Sequence, residues 1–291
     1  MTFPTVIVPF LLAMTLAAVV TTTHRRLPPL VAVRAVTATL VVVAAAAVPT
    51  LWIVAFGYVA HAPLFGGRLD WCAEKLGVHD PIPSWLGAPA VFLAFIGVVR
   101  FSAVLSSYRR LRHDHSDTIE IADHAQPFAF TLPGRGGHVV LSTGLIDMLD
   151  EAEQAVVIAH ERAHASHRHD RYLLVAQAAA ATVPFLRPLA DRLHFSLERC
   201  ADEVAVAQCG DRGFVARTLG KVALRSVSPM GAMSFAGLGA SARVAALLSP
   251  STAPLRRIAN LALWGAVLMT GVLAGFQIHH LTRLVAALCP S

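Results

Sequence analysis

Four apolar stretches divide the chain into lipid-facing and water-facing parts. They lie at about 6–22, 36–58, 85–105 and 259–278. Each approaches the roughly 20 apolar residues that a helix needs to cross a bilayer. The pattern predicts a mainly α membrane protein with about four transmembrane helices: three within 1–108, and a fourth, followed by a short tail, within 258–291.

Residues 109–257 form the one long region of mixed polar and apolar positions, and its length suits a single domain. Alternating apolar positions predict strands at 118–121, 128–132 and 139–141, and the glycine-rich segment 133–138 suits a hairpin connection. A short helix is expected at 145–149. Asp150, with Glu153 three residues later, predicts the capped start of the next helix. This region is therefore expected to be an α+β domain.

The distribution of arginines sets the expected orientation. Arg25 and Arg26 follow the first apolar stretch, whereas a cleavable signal peptide carries its positive charge before it, so we expect a retained helix. Arg109, Arg110 and Arg112 follow the third stretch, and basic residues mark cytoplasmic loops. We expect a multi-pass protein of the cell membrane with both termini extracytoplasmic and the 109–257 domain cytoplasmic.

Composition agrees with a lipid-facing chain. Mean hydropathy is +0.59, and 55% of the residues are hydrophobic against 14% charged. The net charge of +6 comes largely from basic residues at the ends of apolar stretches, so membrane orientation explains it and nucleic acid is not an expected partner.

The four cysteines show no CxxC spacing. With the orientation above, Cys72 and Cys289 fall on the oxidising side, where they either form a disulfide or stay separate thiols. Cys200 and Cys209 fall on the reducing side and are expected to be free.

His160, Glu161 and His164 form an HExxH pentad within an apolar-periodic run, 155–165. Residues four apart share one face of a helix, so both imidazoles can reach one Zn²⁺ ion. Glu161 lies beside them and can remove a proton from water, which is the chemistry of a metallopeptidase.

A catalytic zinc usually has three protein ligands, so a third is expected in the same domain. Glu198 and Asp202 are favoured, because they lie four apart on one face of a helix predicted at 191–208. One of these carboxylates would bind zinc and the other would accept the second ring N–H of a ligating histidine. The other candidates are Asp170, Asp191, Glu203, His167, His169 and His194.

Four motifs follow the order seen in gluzincin membrane peptidases. They are the segments 128–134 (FAFTLPG) and 141–145 (LSTGL), the pentad with Asp170 six residues after His164, and the segment 198–202 (ERCAD). Chain order and topology most resemble the BlaR/MecR-type integral-membrane metallopeptidases, and the HtpX and CAAX prenyl protease group is similar over the same motifs. The resemblance implies a cytoplasmic zincin-like domain between the third and fourth spans.

Position by position, the resemblance implies that His160, His164 and Glu198 are zinc ligands, Glu161 is the general base and Asp202 is the partner of a ligating histidine. His194, one turn before Glu198, is a candidate donor to the oxyanion, with a plain surface histidine as the alternative.

These residues predict a zinc-dependent, membrane-embedded endopeptidase that acts on cytoplasmic or membrane-proximal proteins, with a role in regulatory signalling. A non-catalytic receptor or scaffold that uses the same fold to bind a cytoplasmic partner is the alternative, but a purely structural zinc site needs no Glu161. The apolar segment 172–185 is too short to span, so it is expected to be a buried or membrane-abutting helix.

Overall fold

The structure, a computed structural model, describes residues 3–61, 82–112, 118–134, 138–225, 235–249 and 257–288. Most of these residues are helical. In chain order the α-helices are α1 (Phe3–Thr23), α2 (Pro29–Ala60), α3 (Ser84–Leu111), α4 (Thr143–Met148), α5 (Glu151–Ser166), α6 (His169–Thr182), α7 (Arg187–Cys209), α8 (Arg212–Arg225), α9 (Phe235–Leu248) and α10 (Arg257–Leu288). Short 3-10 turns lie at His24–Arg26 and Pro184–Leu186.

Two of the described helices, α2 and α3, are long and apolar enough to cross a membrane. On α3 the large side chains of Trp85, Phe92 and Phe95 are 75%, 63% and 67% exposed, as expected of a surface that faces lipid. The segments predicted as the first and fourth spans are also helical, in α1 and α10. Their crossing of the membrane, and with it the four-span topology, stays a prediction.

The helices α6 and α7 pack directly against α2, and α6 also contacts α3. The shared core joins Val36 and Leu40 of α2 to Ala176 of α6 and to Leu193 and Leu197 of α7. The helix expected to be buried or to abut the membrane is therefore α6, buried against the two apolar helices.

The sheet has three strands in the order β1–β3–β2 among the described residues. The strands are β1 (Ile119–Ala122), β2 (Ala129–Leu132) and β3 (His138–Ser142), within one or two residues of the predicted positions. β2 and β3 are antiparallel, as the hairpin prediction requires, and β1 pairs parallel to β3. Residues 135–137 of the glycine-rich connection lie outside the described residues.

The helix α5 lies between the sheet and the helices α7 and α8. Val157 packs with Leu141, Leu145 and other residues of β3 and α4, whereas Val156 packs with Ala205 of α7 and Val215 of α8. Contacts on both sides fix the position of α5, which carries the pentad.

The helix predicted at 191–208 is α7, which begins earlier, at Arg187. Pro188 lies in its first turn, where the missing N–H has no cost. Cys200 and Cys209 are free thiols, as predicted, and Cys72 and Cys289 lie outside the described residues. The domain boundaries at 108 and 257 stay predictions.

Candidate metal centre

The start of α5 is fixed by a capping box. The Glu153 N–H donates to Asp150 Oδ1 at 2.8 Å, and the Asp150 N–H donates to Glu153 Oε2 at 3.1 Å. This confirms the predicted cap. From this start the buried face of the helix reaches His160, of which 5% is exposed, and His164 follows one turn later.

Glu198 of α7 lies opposite the two imidazoles. The Nε2 atoms of His160 and His164 are 3.1 Å apart, and each lies 3.5 Å from an oxygen of Glu198. Ligand atoms about 2.0–2.1 Å from a tetrahedral zinc lie roughly 3.3–3.4 Å from one another. Each imidazole nitrogen is near that distance from the other and from the Glu198 oxygen that faces it, which is Oε2 for His160 and Oε1 for His164, so the carboxylate can approach an ion held between the two rings. Among the described residues, His160, His164 and Glu198 form a group that could hold a metal ion.

Asp202 faces the other nitrogen of His160. Its Oδ1 lies 3.1 Å from His160 Nδ1, but the N–H does not point along the line that a good hydrogen bond requires. Only 1% of Asp202 is exposed. The structure therefore places Glu198 towards both Nε2 atoms, and Asp202 behind His160.

Glu161 lies beside this group and contacts the edge of the sheet. The hydroxyl of Thr131 on β2 is 2.9 Å from Glu161 Oε2 and also 2.9 Å from its backbone oxygen, so one proton is shared between two acceptors. Burial raises the pKa of Glu161, while the charge of His160 and the Thr131 contact act in the opposite direction. A carboxylate whose pKa is raised holds a proton more readily, which suits a group that must accept one.

Arg243 of α9 pairs with both carboxylates of α7. Its Nη1 lies 2.7 Å from Glu198 Oε2, and its Nε and Nη2 donate to Asp202 at 3.0 Å and 2.6 Å. This residue was absent from the sequence prediction. Within 235–248 it is the one charged side chain, and a lone charge in an apolar helix is the signal that it needs a buried partner.

The pKa values of His160, Glu198 and Asp202 depend on one another and on Arg243. Burial alone would lower the pKa of His160, but the contacts with Asp202 and Glu198 outweigh it and raise the pKa to about 9. Burial would raise the pKa of Glu198, but Arg243 and the histidines hold it well below its usual range. The pKa of Asp202 is lowered too, with Arg243 as the main favourable partner.

His164 has a different neighbour from His160. Its Nδ1 lies 2.9 Å from Nδ1 of His169, the first residue of α6, and the two rings meet edge to face with centroids 4.8 Å apart. Burial lowers the pKa of His164 to about 4 and that of His169 to about 3. Both imidazoles are therefore neutral near pH 7.

His194 is exposed on α7, one turn before Glu198, and its positive charge is close enough to lower the pKa of His164. The remaining candidates for the third ligand have other contacts or are exposed. Asp170 accepts a hydrogen bond from the hydroxyl of Tyr108 at 2.8 Å, and Glu203 forms a bidentate ion pair with Arg212. His167 contacts the Ala163 carbonyl oxygen at 3.0 Å, and Asp191 is exposed.

Comparison with known proteins bears on the same residues. Residues 102–190 match the model of Peptidase family M48. The matched M48 segment contains the pentad, β2 and α6 but ends before Glu198, Asp202 and Arg243. The assignment of the third ligand therefore depends on the geometry of α7.

A stretch of 74 residues, 25% of the chain, is 36% identical to the curated "Protease HtpX homolog" of Acidiphilium cryptum (strain JF-5). The chain spans about a quarter, 26%, of the length of that relative. No solved structure matches the chain.

The chain thus resembles membrane zinc metallopeptidases of the HtpX type, as the motifs predicted. The M48 match supports a protease function. The likeness to BlaR/MecR-type proteins in chain order stays a prediction.

Proposed function

We propose that this chain is a zinc-dependent, membrane-embedded endopeptidase that cleaves cytoplasmic or membrane-proximal proteins, with a role in regulatory signalling. The observation that carries the proposal is the convergence of His160, His164 and Glu198 at the spacing of a zinc ligand set, with Glu161 beside it. A structural zinc would need four protein ligands, whereas three leave one position for chemistry.

The donor set supports zinc as the metal. Two imidazole nitrogens and one carboxylate oxygen suit Zn²⁺, whereas Ca²⁺ and Mg²⁺ prefer oxygen ligands alone. Zinc held by these residues would act as a Lewis acid that polarises the scissile carbonyl and lowers the pKa of water. Glu161 takes the proton from the attacking water and passes it to the leaving amine.

Thr131 keeps the carboxylate of Glu161 turned towards the sheet edge. Within the described residues, β2 pairs only with β3, so its outer edge can accept an extended substrate by strand addition. Such pairing would bring the substrate backbone past Glu161. His194, which is exposed on α7 one turn before Glu198, is the proposed donor to the oxyanion.

The location of the centre suggests where cleavage occurs. Asp170, six residues after His164, accepts a hydrogen bond from Tyr108 near the end of α3. Arg199, next to Glu198, lies 3.4 Å from the carbonyl oxygens of Arg25 and Leu27 in the turn between α1 and α2. We place this side of the molecule in the cytoplasm and both termini outside, so substrates would be cut close to the bilayer surface.

The proposal is tested with Glu161→Gln, which keeps the size and the hydrogen-bonding capacity of the side chain. The variant should bind zinc as the wild type does and cleave no protein, including itself. Fragments are compared by mass spectrometry in cells that carry either form, and cleavage of an unstructured protein is measured with the purified full chains. Equal cleavage by both forms would exclude the role of Glu161, and an absence of cleavage by the zinc-loaded wild type would favour a scaffold without catalysis.

A further inference from the structure

Each histidine of the centre has one nitrogen towards the metal position and one turned away from it. For His164 the inner atom is Nε2, which faces Glu198, and the outer atom is Nδ1. A neutral imidazole carries a single proton, and the nitrogen that binds a metal must be free of it. When Nε2 binds, the proton of His164 is therefore on Nδ1 and needs an acceptor.

The atom that faces this proton is Nδ1 of His169, at 2.9 Å. Only 4% of His169 is exposed, so water cannot readily replace it as the acceptor. To accept, Nδ1 of His169 must be unprotonated, which places its own proton on Nε2. Both tautomers then follow from the single requirement that His164 binds a metal.

The backbone between α5 and α6 sets this contact. Arg168 has φ 54° and ψ 46°, the left-handed backbone conformation that residues other than glycine rarely adopt. This residue reverses the chain within two residues of the end of α5, so the first ring of α6 packs back onto the last turn of α5. The sequence distance from His164 to His169 is five, a spacing that a continuous helix would not place on one face.

We propose that His169 is a positioning residue that orients His164 for metal binding by accepting the proton of its Nδ1. This role rests on the proposed zinc site. It gives the two histidine ligands different partners, because Asp202, a carboxylate, faces Nδ1 of His160, whereas a neutral imidazole faces Nδ1 of His164.

Two substitutions separate the hydrogen bond from the shape of the side chain. In His169→Asn the amide oxygen can take the place of Nδ1 as the acceptor, whereas His169→Leu fills similar space without one. Zinc dissociation constants are measured by chelator competition with the full chain in detergent. Loss of a partner that orients a ligand typically costs about 10–100-fold in metal affinity, so we expect that loss in H169L and near wild-type affinity in H169N.

His167 supplies the matched control. It lies two residues away on the same turn, is exposed, and contacts the Ala163 carbonyl oxygen. His167→Leu and His167→Asn should both leave zinc affinity unchanged. Circular dichroism and the thermal unfolding temperature of each metal-free variant show whether it folds.

A second readout needs no variant. In the zinc-loaded wild type labelled with ¹⁵N-histidine, the His164 Nδ1 proton should give a slowly exchanging signal with a coupling to His169. A His164 that carries its proton on Nε2 in the loaded protein would overturn the proposal, as would equal zinc affinity in wild type and H169L, or equal loss in H169L and H169N.

These outcomes are distinct from failure of the proposed function. A wild type that binds no zinc would overturn both the protease and the role of His169. A wild type that binds zinc without cleaving protein would remove the protease alone, because affinity and the histidine tautomer do not depend on turnover.

Discussion

Three carboxylates, Glu161, Glu198 and Asp202, surround the two proposed histidine ligands, and Arg243 is the arginine that pairs with Glu198 and Asp202. With zinc present the three negative charges meet three positive ones. Without zinc, the protonated ring of His160 and Arg243 oppose them, and Arg243 lies 2.6–3.0 Å from Glu198 and Asp202. The stability of the metal-free protein should therefore depend on this residue.

Arg243→Gln should destabilise the metal-free chain by about 3–5 kcal/mol, since it removes the arginine partner of two carboxylates that are largely shielded from water. The loss should be smaller with zinc bound, because the ion replaces part of the lost charge. Thermal unfolding of both forms measures the difference.

Arg212→Gln is the control. Arg212 forms a bidentate pair with Glu203 between α7 and α8, but both side chains are about a third exposed. The loss of stability should therefore stay below about 1 kcal/mol. Equal effects of the two substitutions would contradict the charge balance.

Zinc affinity should rise with pH. The pKa of His160 is raised to about 9 in the metal-free protein, so near neutrality its ring carries a proton that must leave before Nε2 binds. His164, with its pKa lowered to about 4, releases none in this range. The association constant should increase about tenfold per pH unit between about pH 6 and 8. Chelator competition at several pH values measures the slope, and a flat profile would show that His160 is neutral before zinc binds.

Because residues four apart share a helix face, the sequence predicted that His160 and His164 point the same way. The same rule predicted that Glu198 and Asp202 lie together on one face. It did not predict Arg243, which lies 41 residues from Asp202 and reaches it only after α8 and α9 have folded back. His169 was among the predicted candidates for the metal itself. The structure places it behind His164, because the left-handed Arg168 reverses the chain.

At the scale of the elements, alternation and turn residues predicted the strands, and the capping box predicted the start of α5. The order β1–β3–β2 was not predicted, because β1 pairs directly with β3 and not with β2, the next strand along the chain, and local alternation does not say which strands pair. The sequence showed that α2, α6 and α7 carry apolar residues, but it did not show that α6 and α7 pack against α2.

Gly144, at the start of α4, permits one close approach that the fold needs. Its N–H donates to the His124 carbonyl oxygen at 3.0 Å, and a Cβ at this position would overlap the backbone carbonyl of Ala125. Gly144→Ala should lower the free energy of unfolding by about 1–3 kcal/mol, as overpacking does.

Gly239, in α9, is the matched control for this substitution. A Cβ there would meet nothing within 4 Å, so Gly239→Ala should be neutral or stabilising by up to about 1 kcal/mol. Thermal unfolding of the two variants makes the comparison, and a G144A chain as stable as G239A would show that the approach at Ala125 is not required.

For the protein as a whole, two further contacts add to the apolar core that joins the helices near the metal centre to α2. Tyr108 of α3 holds Asp170, and the turn after α1 packs on α7, where the ring of Phe195 contacts both His24 and Arg25. Both contacts lie near basic residues, Arg25 and Arg26 in the turn after α1 and Arg109 and Arg110 in the last turn of α3. This arrangement favours one membrane face for the centre.

The orientation has a direct test in a chain whose four native cysteines are replaced. Thr2→Cys and Ser291→Cys should react with a membrane-impermeant maleimide on intact cells, because both termini are expected outside. Ser116→Cys should react only after the membrane is permeabilised. Labelling of Ser116→Cys on intact cells would reverse the proposed orientation and with it the location of the substrates.

In the proposed mechanism, His160, His164 and Glu198 hold one zinc, and Glu161 uses it to cleave a peptide bond. A zinc titration of the chelator-stripped full chain, followed by cleavage of an unstructured protein, tests these roles together. The wild type should gain activity in proportion to zinc and reach its maximum at one ion per chain. Glu161→Gln should bind the same single ion and stay inactive. Full activity in the stripped wild type, or zinc-dependent activity in Glu161→Gln, would contradict the claim.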